Sequence, residues 1–199
     1  WDCYLNGLTS LHALRNCKKL ISLDCSYNQL ESLDGIEECN QINILDCNHN
    51  KLTSLCGLEI NSQLRILNCD NNKLKSLQGL PNHSNLKLLA CIKNELTSIL
   101  EISNSSELLE LICVSNKIKS LNGIEHCPKL RRLYCKNNKI ISIDGIRDLI
   151  NLDDFECDIY ATSVRGWINQ LIKSVTNGCI RDCYNGYVYN MINCSRNNY

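Results

Sequence analysis

The feature that most constrains this chain is a repeat of 22 residues that runs without insertion or loss through most of the sequence. The clearest copy begins at Leu20 and ends at Gln41, and the next begins at Ile42. With Leu20 as repeat position one, position four is apolar, position six is cysteine and position nine is asparagine in successive copies. A fixed period of this length predicts a solenoid, because each unit can bury its apolar face only against its neighbours.

We expect the cysteine and asparagine columns to have structural roles. A thiol that points inward behaves as a small apolar side chain. An asparagine amide offers both a donor and an acceptor to the backbone groups of a buried turn. The residues assigned to these roles are Cys25, Cys47, Cys69, Cys91, Cys113 and Cys135, here called the cysteine ladder, and Asn28, Asn50, Asn72, Asn94, Asn116 and Asn138, here called the asparagine ladder.

The spacing LxxLxCxxNxLxxLxGL resembles the leucine-rich repeat in its 22-residue class, which is found in phosphatase-regulatory subunits and bacterial internalins. The chain departs from that family in carrying cysteine where leucine is usual. Such cysteine-rich arrays in a chain rich in Asn, Ile and Lys are similar to those of amoebae and of the giant DNA viruses that infect them. The resemblance implies an α/β solenoid with a concave parallel β-sheet and a mostly irregular or short-helical convex side.

Three segments are expected along the chain. Residues 1–160 form the array of about seven to eight coils, and residues 161–178 have the apolar spacing of an amphipathic capping helix. Residues 179–199 are a tail rich in Cys, Tyr and Asn, for which the sequence predicts no structure.

The first coil is incomplete, because Trp1 enters the repeat at position four. An uncapped first coil would leave Trp1, Leu8, Leu11 and Leu14 facing water on one side. This pattern indicates a fragment of a longer protein, or a coil that stacks on a partner.

The return path carries two further columns. Serine at position thirteen is expected to bond the local backbone. Glycine at position sixteen predicts a tight bend with positive φ. The glycines in that column are Gly35, Gly57, Gly79, Gly123 and Gly145.

Charge and cysteine usage restrict the partners. Lysine and arginine total 21, as do aspartate and glutamate, so neither nucleic acid nor an anionic membrane is predicted as a partner. Fifteen cysteines, most of them in a regular column, favour a reduced cytoplasmic protein, in the host cytoplasm if the source is viral. A disulfide between Cys17 and Cys39, which occupy adjacent coils, is an open alternative.

We expect the side chains at repeat positions three, five and seven to form the concave face, because these positions alternate with the buried ones. The first coils offer acidic residues at Asp2, Asp24, Asp46 and Asp70. The middle coils offer an apolar cluster, and large exposed apolar clusters usually mark an interface. The residues predicted to bind a protein partner are Ile66, Leu88, Ala90, Ile92, Ile112, Val114, Arg132, Tyr134 and Lys136.

Enzymatic readings find little support. Asp24 and Asp46 could form a carboxylate pair, but open strands offer no pocket that excludes water. The tail cysteines Cys179, Cys183 and Cys194 lack a fourth zinc ligand of clear spacing. The prediction is therefore a non-enzymatic protein-binding module with no cofactor, metal site or catalytic residue. Two alternatives are a regulatory subunit that holds an enzyme such as a phosphatase, and thiol or zinc chemistry in the tail.

Overall fold

The computed structural model describes residues 1–82, 85–146 and 148–158, and the backbone of two further strands. The predicted capping helix at 161–178 lies outside the described residues. In the described part, each coil from Leu20 onward supplies one short strand, a turn, and a return path that is irregular or 3₁₀-helical. The predicted solenoid with a parallel sheet is thus confirmed.

The strands form one sheet in chain order. Neighbours from β1 to β8 pair in parallel, and within the array the register shift is one repeat, so Leu23 lies opposite Leu45 and Leu45 opposite Leu67. The strands are β1 (Ser22–Asp24), β2 (Ile44–Asp46), β3 (Ile66–Asn68), β4 (Leu88–Ala90), β5 (Glu110–Ile112), β6 (Arg132–Tyr134), β7 (Asp154–Cys157), β8 (Cys179–Tyr184) and β9 (Tyr187–Asn190).

The core lies between this sheet and the return path. The central residue of each array strand is buried, and so are the apolar residues of the return path, such as Leu30, Leu33 and Ile36 at 0% exposed. The return path contains short 3₁₀ helices. Their bounds are His12–Leu14, Leu100–Asn104, Ile124–His126 and Asp144–Ile146.

The two ends of the sheet differ from the prediction. Asp2 forms an isolated bridge to Asp24, so the first coil contributes no full strand. Of the residues that an uncapped first coil would leave facing water, Leu11 and Leu14 are buried, at 2% and 5% exposed, whereas Trp1 is 69% exposed. At the other end, the tail that had no predicted structure supplies β8, parallel to β7, and β9, antiparallel to β8.

The cysteine ladder is buried along its whole length, and its thiols lie one coil apart. The Sγ atom of Cys25 lies 3.4 Å from the carbonyl oxygen of Asp46, and that of Cys69 lies 3.3 Å from the carbonyl oxygen of Ala90. Cys17 and Cys39 are both free thiols, as are the other cysteines whose side chains the structure describes. Burial raises the pKa of Cys113 to about 12, which keeps this thiol protonated at neutral pH.

The asparagine ladder joins consecutive coils. The Nδ2 atom of Asn50 donates to the carbonyl oxygens of Cys25 at 3.0 Å and Cys47 at 3.1 Å. Its Oδ1 atom accepts a hydrogen bond from the backbone N–H of Leu30 at 2.9 Å. One amide therefore satisfies groups in its own turn and in the preceding coil, as its structural role required.

Repeat position eight adopts a left-handed backbone in every described coil, which the sequence pattern did not indicate. The backbone N–H of this residue bonds the next coil; for Tyr27 it donates to the carbonyl oxygen of Asn48 at 2.9 Å. The residues with φ between 50° and 58° are Leu5, Tyr27, His49, Asn71, Lys93, Ser115 and Asn137.

The glycine column is confirmed at four of its five positions. Gly35 has φ 114°, and a Cβ atom there would lie 2.3 Å from the carbonyl oxygen of Leu11. Gly57, Gly79 and Gly123 also have positive φ. Gly145 does not, because it continues the 3₁₀ helix Asp144–Ile146.

Candidate functional site

The concave face is built by the alternation of side chains along each strand. In β2 the central residue Leu45 is buried, whereas Ile44 is 40% exposed and Asp46 is half-buried. The parallel register places equivalent residues of successive coils beside one another. The face is therefore made of three columns, at repeat positions three, five and seven.

An apolar column crosses the first half of this face. Ile44 lies opposite Ile66, which lies opposite Leu88, so three apolar side chains are neighbours on β2, β3 and β4. Ile44 and Ile66 are 40% and 38% exposed, and Leu88 is half-buried. Ile44 was not among the predicted partner-binding residues, although it occupies the same repeat position as Ile66.

The other predicted apolar residues lie in the neighbouring columns, at repeat positions five and seven. Ile92, Ile112 and Val114 are half-buried, and Ala90 is 7% exposed, so Ala90 offers little surface to a partner. The concave apolar patch is defined here as Ile44, Ile66, Leu88, Ile92, Ile112 and Val114.

The predicted charged and aromatic anchors are held by neighbours on the same face. The guanidinium of Arg132 lies 2.6 Å from a carboxylate oxygen of Glu110. The hydroxyl of Tyr134 donates to Oδ2 of Asp154 at 2.9 Å. Burial, with this hydrogen bond, raises the pKa of Tyr134.

Lys136 is likewise paired, with its Nζ atom 3.1 Å from Oε2 of Glu156. The far end of the face therefore neutralises its own charges. A partner that used these anchors would have to replace bonds that already exist.

The acidic residues of the first coils have a structural task. Oδ1 of Asp24 accepts the backbone N–H of Ser26 at 3.0 Å, and Oδ1 of Asp46 accepts that of Asn48 at 3.1 Å. This bond from a carboxylate to the N–H two residues on closes the end of the strand.

Asp70 performs the same task across coils. Its Oδ1 atom accepts the backbone N–H of Ile92 at 2.6 Å, where the alanine at position five of that coil has no side-chain acceptor to offer. Burial raises the pKa of Asp70, and the bond from Ile92 partly opposes this shift. These carboxylates thus accept the backbone hydrogen bonds at the strand ends.

An aromatic cluster borders the acidic end of the face. The rings of Tyr27 and His49 stack with centroids 4.0 Å apart and planes at 10°. Tyr4 meets Tyr27 edge-on, with centroids 5.3 Å apart. The stack follows from the left-handed residues at position eight, which place Tyr27 and His49 one coil apart.

Within the residues that the structure describes, no group of three or more His, Cys, Asp or Glu side chains is arranged to hold a metal ion. The helices of the same residues include none long and apolar enough to cross a membrane.

Comparison with known proteins supports the repeat and the fold. Residues 106–151 match the family of Leucine Rich repeats (2 copies). Among curated proteins, no sequence gives a significant match. The similarity to amoebal and viral arrays, the segment boundaries and the partner-binding residues stay predictions, which these matches do not test.

Solved structures similar to this chain are leucine-rich repeat solenoids. An internalin of Listeria monocytogenes, InlF, superposes with a TM-score of 0.72 at 20% identity, over 90% of this chain and 54% of the internalin. The chain thus spans about half the length of that protein. Internalin C2 of the same organism gives a TM-score of 0.56 at 22% identity, over 76% of each chain.

A third similar structure is an octameric complex of Latrophilin 3, Unc5D and the leucine-rich repeats of FLRT2. It matches with a TM-score of 0.58 at 22% identity, over 74% of this chain and 49% of the matched chain. That leucine-rich repeat protein is therefore seen in an assembly with other proteins.

Proposed function

We propose that this chain is a non-enzymatic protein-binding module whose partner contacts the concave apolar patch. The observation that carries the proposal is the continuous apolar column of exposed Ile44, exposed Ile66 and half-buried Leu88 across three adjacent strands. Soluble proteins rarely expose a contiguous apolar patch unless another molecule binds there. The presence of FLRT2 repeats in a multiprotein assembly supports the same class of function.

The proposal also includes a reduced, intracellular setting. Its support is the cysteine ladder, whose thiols are free and buried, with Cys47, Cys69 and Cys91 at 0% exposed. A column of unpaired thiols suits a compartment that keeps cysteine reduced. Thiol counting on protein purified from its native source would test this part separately.

The rigid regular face argues against chemistry at this site. The carboxylates at Asp24 and Asp46 bond the backbone N–H groups of their own coils, so they are committed to structure. Catalysis commonly needs a concave pocket that excludes water, whereas these side chains lie on an open sheet.

The test is affinity capture from cell lysate with a variant that carries Ile44→Asp and Ile66→Asp. Both side chains are about two-fifths exposed, so the fold should tolerate the change. The matched control carries Ile141→Asp and Ile150→Asp, at 68% and 81% exposed outside the concave face. Circular dichroism of both proteins verifies that the sheet is intact.

The expected result is that a defined protein binds the wild type and the control but not the concave variant. If the same proteins are captured by all three samples, the concave apolar patch is not the binding site. An enzymatic activity that co-purifies with the captured protein would identify the regulatory-subunit form of this function.

A further inference from the structure

A second surface of the molecule concentrates positive charge although the whole chain is neutral. It is the flank that follows the strands, at repeat positions eight, ten and twelve. Seven exposed lysines occupy these three positions between Leu5 and Ile141, against two glutamates, Glu31 and Glu95. This lysine flank consists of Lys51, Lys73, Lys75, Lys93, Lys117, Lys119 and Lys139.

The backbone holds these lysines in a row. The N–H of Lys51 donates to the carbonyl oxygen of Leu30 at 2.8 Å, and that of Lys73 to Leu52 at 2.9 Å. Each residue at position ten is thereby fixed against the preceding coil. Strand neighbours lie about 4.8 Å apart, so the row from Lys51 to Lys139 extends about 20 Å.

The opposite flank, which leads into the strands, pairs a larger share of its cations than the lysine flank does. Three of its cations pair with carboxylates, whereas Lys19, Arg65 and Lys87 form no ion pair among the described residues. Among the described residues, the lysine flank contains one ion pair, between Lys117 and Glu95 at 2.9 Å. The pairs of the opposite flank are Lys18 with Glu38 at 3.0 Å, Lys129 with Glu107 at 2.6 Å and Arg131 with Asp153 at 2.6 Å.

The pKa of Glu95 responds to the positive charge of the lysine flank. Its pKa is lowered, first by the hydrogen bond from Lys117 and then by the charges of Lys117, Lys75 and Lys73. Three lysines from two different coils thus act on one carboxylate. The flank is arranged to attract further negative charge.

We propose that the lysine flank binds an extended acidic segment, rich in aspartate or glutamate, of a protein partner. A narrow row about 20 Å long matches about six residues of extended chain, which rises about 3.3 Å per residue. Complementary charge along such a row attracts the segment and fixes its position. This surface is distinct from the concave apolar patch and does not depend on it.

The residues between the lysines favour a polypeptide over single-stranded nucleic acid. Bases are held without sequence preference by stacking on aromatic side chains. At position eight the row offers Asn71, Ser115 and Asn137, which provide no such platform. The rings of Tyr27 and His49 at the end of the row already stack on each other.

The shape of the charged area also disfavours a membrane. An anionic bilayer is a plane, and it attracts lysines in proportion to how many reach it together. Here the positive residues form a narrow stripe, and the adjoining concave face carries the carboxylates of Asp24, Asp46 and Asp70. A single acidic chain follows the stripe without meeting those carboxylates.

The experiment measures binding of the full chain to three probes. They are a fluorescent peptide of about six glutamates, an oligothymidylate of equal charge, and vesicles of phosphatidylcholine with phosphatidylserine. The flank variant carries Lys73→Glu, Lys75→Glu and Lys119→Glu. The control carries an equal change of charge on the opposite flank, as Lys19→Glu, Arg65→Glu and Lys87→Glu.

The wild type and the control are expected to bind the glutamate peptide, and added salt should weaken that binding because the contacts are exposed. The flank variant should bind it roughly tenfold more weakly or worse, since several modest charge pairs are lost together. Equal peptide binding by the flank variant and the control would overturn the proposal. So would tighter binding of oligothymidylate or vesicles than of the peptide.

The concave variant Ile44→Asp, Ile66→Asp separates this proposal from the preceding one. It should bind the glutamate peptide like the wild type, because its lysine flank is unchanged. If the flank variant keeps its peptide binding, the proposal for the lysine flank fails. The result for the concave apolar patch is not affected.

Discussion

Replacing Asn94 by alanine should destabilise the array through one identifiable backbone group. The Oδ1 atom of Asn94 accepts the backbone N–H of Leu74 at 3.0 Å. Its Nδ2 atom donates to the carbonyl oxygens of Cys69 at 3.0 Å, Cys91 at 3.2 Å and Ile92 at 3.3 Å. Alanine removes all four hydrogen bonds from a site that is 8% exposed.

The four backbone groups are not affected equally. The carbonyl of Cys69 keeps a second donor in Asn72 at 3.1 Å, and that of Cys91 keeps one in Asn116 at 2.9 Å. The carbonyl of Ile92 keeps the backbone N–H of Asn71 at 2.7 Å. Within the described residues, the N–H of Leu74 has no other acceptor. The overlap of successive amides protects the carbonyls and leaves the N–H dependent on a single side chain.

The expected loss in free energy of unfolding is about 3 kcal/mol. An unsatisfied buried donor costs about 1–3 kcal/mol, and loss of one of two donors at the shared carbonyls contributes about 1 kcal/mol more. Urea unfolding followed by circular dichroism measures the loss, provided that its dependence on urea concentration is unchanged. Hydrogen exchange at the amide of Leu74 tests the mechanism directly.

Asn6→Ala is the matched control for this prediction. Asn6 is the equivalent asparagine of the first coil, but it is exposed and its Nδ2 atom donates to Tyr4 at 3.0 Å. Its replacement should cost less than about 1 kcal/mol, because water can satisfy the freed groups. Equal losses for Asn6→Ala and Asn94→Ala, or an amide of Leu74 that stays protected in the latter, would refute the reasoning.

Three further predictions concern backbone, thiols and pH. Gly35→Ala should lower the free energy of unfolding by at least about 2 kcal/mol more than Gly7→Ala, because an added Cβ meets backbone at the former and open space at the latter; urea unfolding compares them, and equal losses would contradict close coil contact as the cause. Iodoacetamide should label exposed Cys56 in the folded protein and leave buried Cys69 unmodified until unfolding, as read by mass spectrometry; early labelling of Cys69 would show that the ladder is accessible. The raised pKa of Asp70 means that its protonated form favours folding, and that this stability is complete below its unfolded pKa and is lost as pH rises through its folded pKa. Asp70→Asn should therefore increase stability at pH 7 and flatten the acid part of the pH profile, and a decrease at pH 7 would show that the charged carboxylate is the favoured form.

On the concave face, the residue pattern predicted which side chains lie at the surface but not which of them pair with one another. Repeat position three identified Ile66 and Leu88 as surface residues of adjacent strands, and Ile44 carried the same signal. The pattern could not show that Arg132 pairs with Glu110, or that Tyr134 bonds Asp154. Such pairs depend on which long side chains reach across one coil, and that distance is set by the three-dimensional register.

The sequence by itself determined the solenoid, the parallel sheet and the buried cysteine and asparagine ladders. Each of these features repeats every 22 residues, and a repeated unit has one way to cover its apolar face. The ladders are visible because burial and turn hydrogen bonds admit few residue types.

Tertiary structure alone decided the features in which residue type varies. Position eight is left-handed with side chains as different as Tyr27 and Lys93, because the bond to the next coil fixes φ there. The strands β8 and β9 join the sheet by backbone pairing, which needs no repeat pattern. The lysine flank exists because coil stacking brings residues a full repeat apart in the chain to within a few ångströms of one another, so lysines that are spread along the sequence form a continuous row.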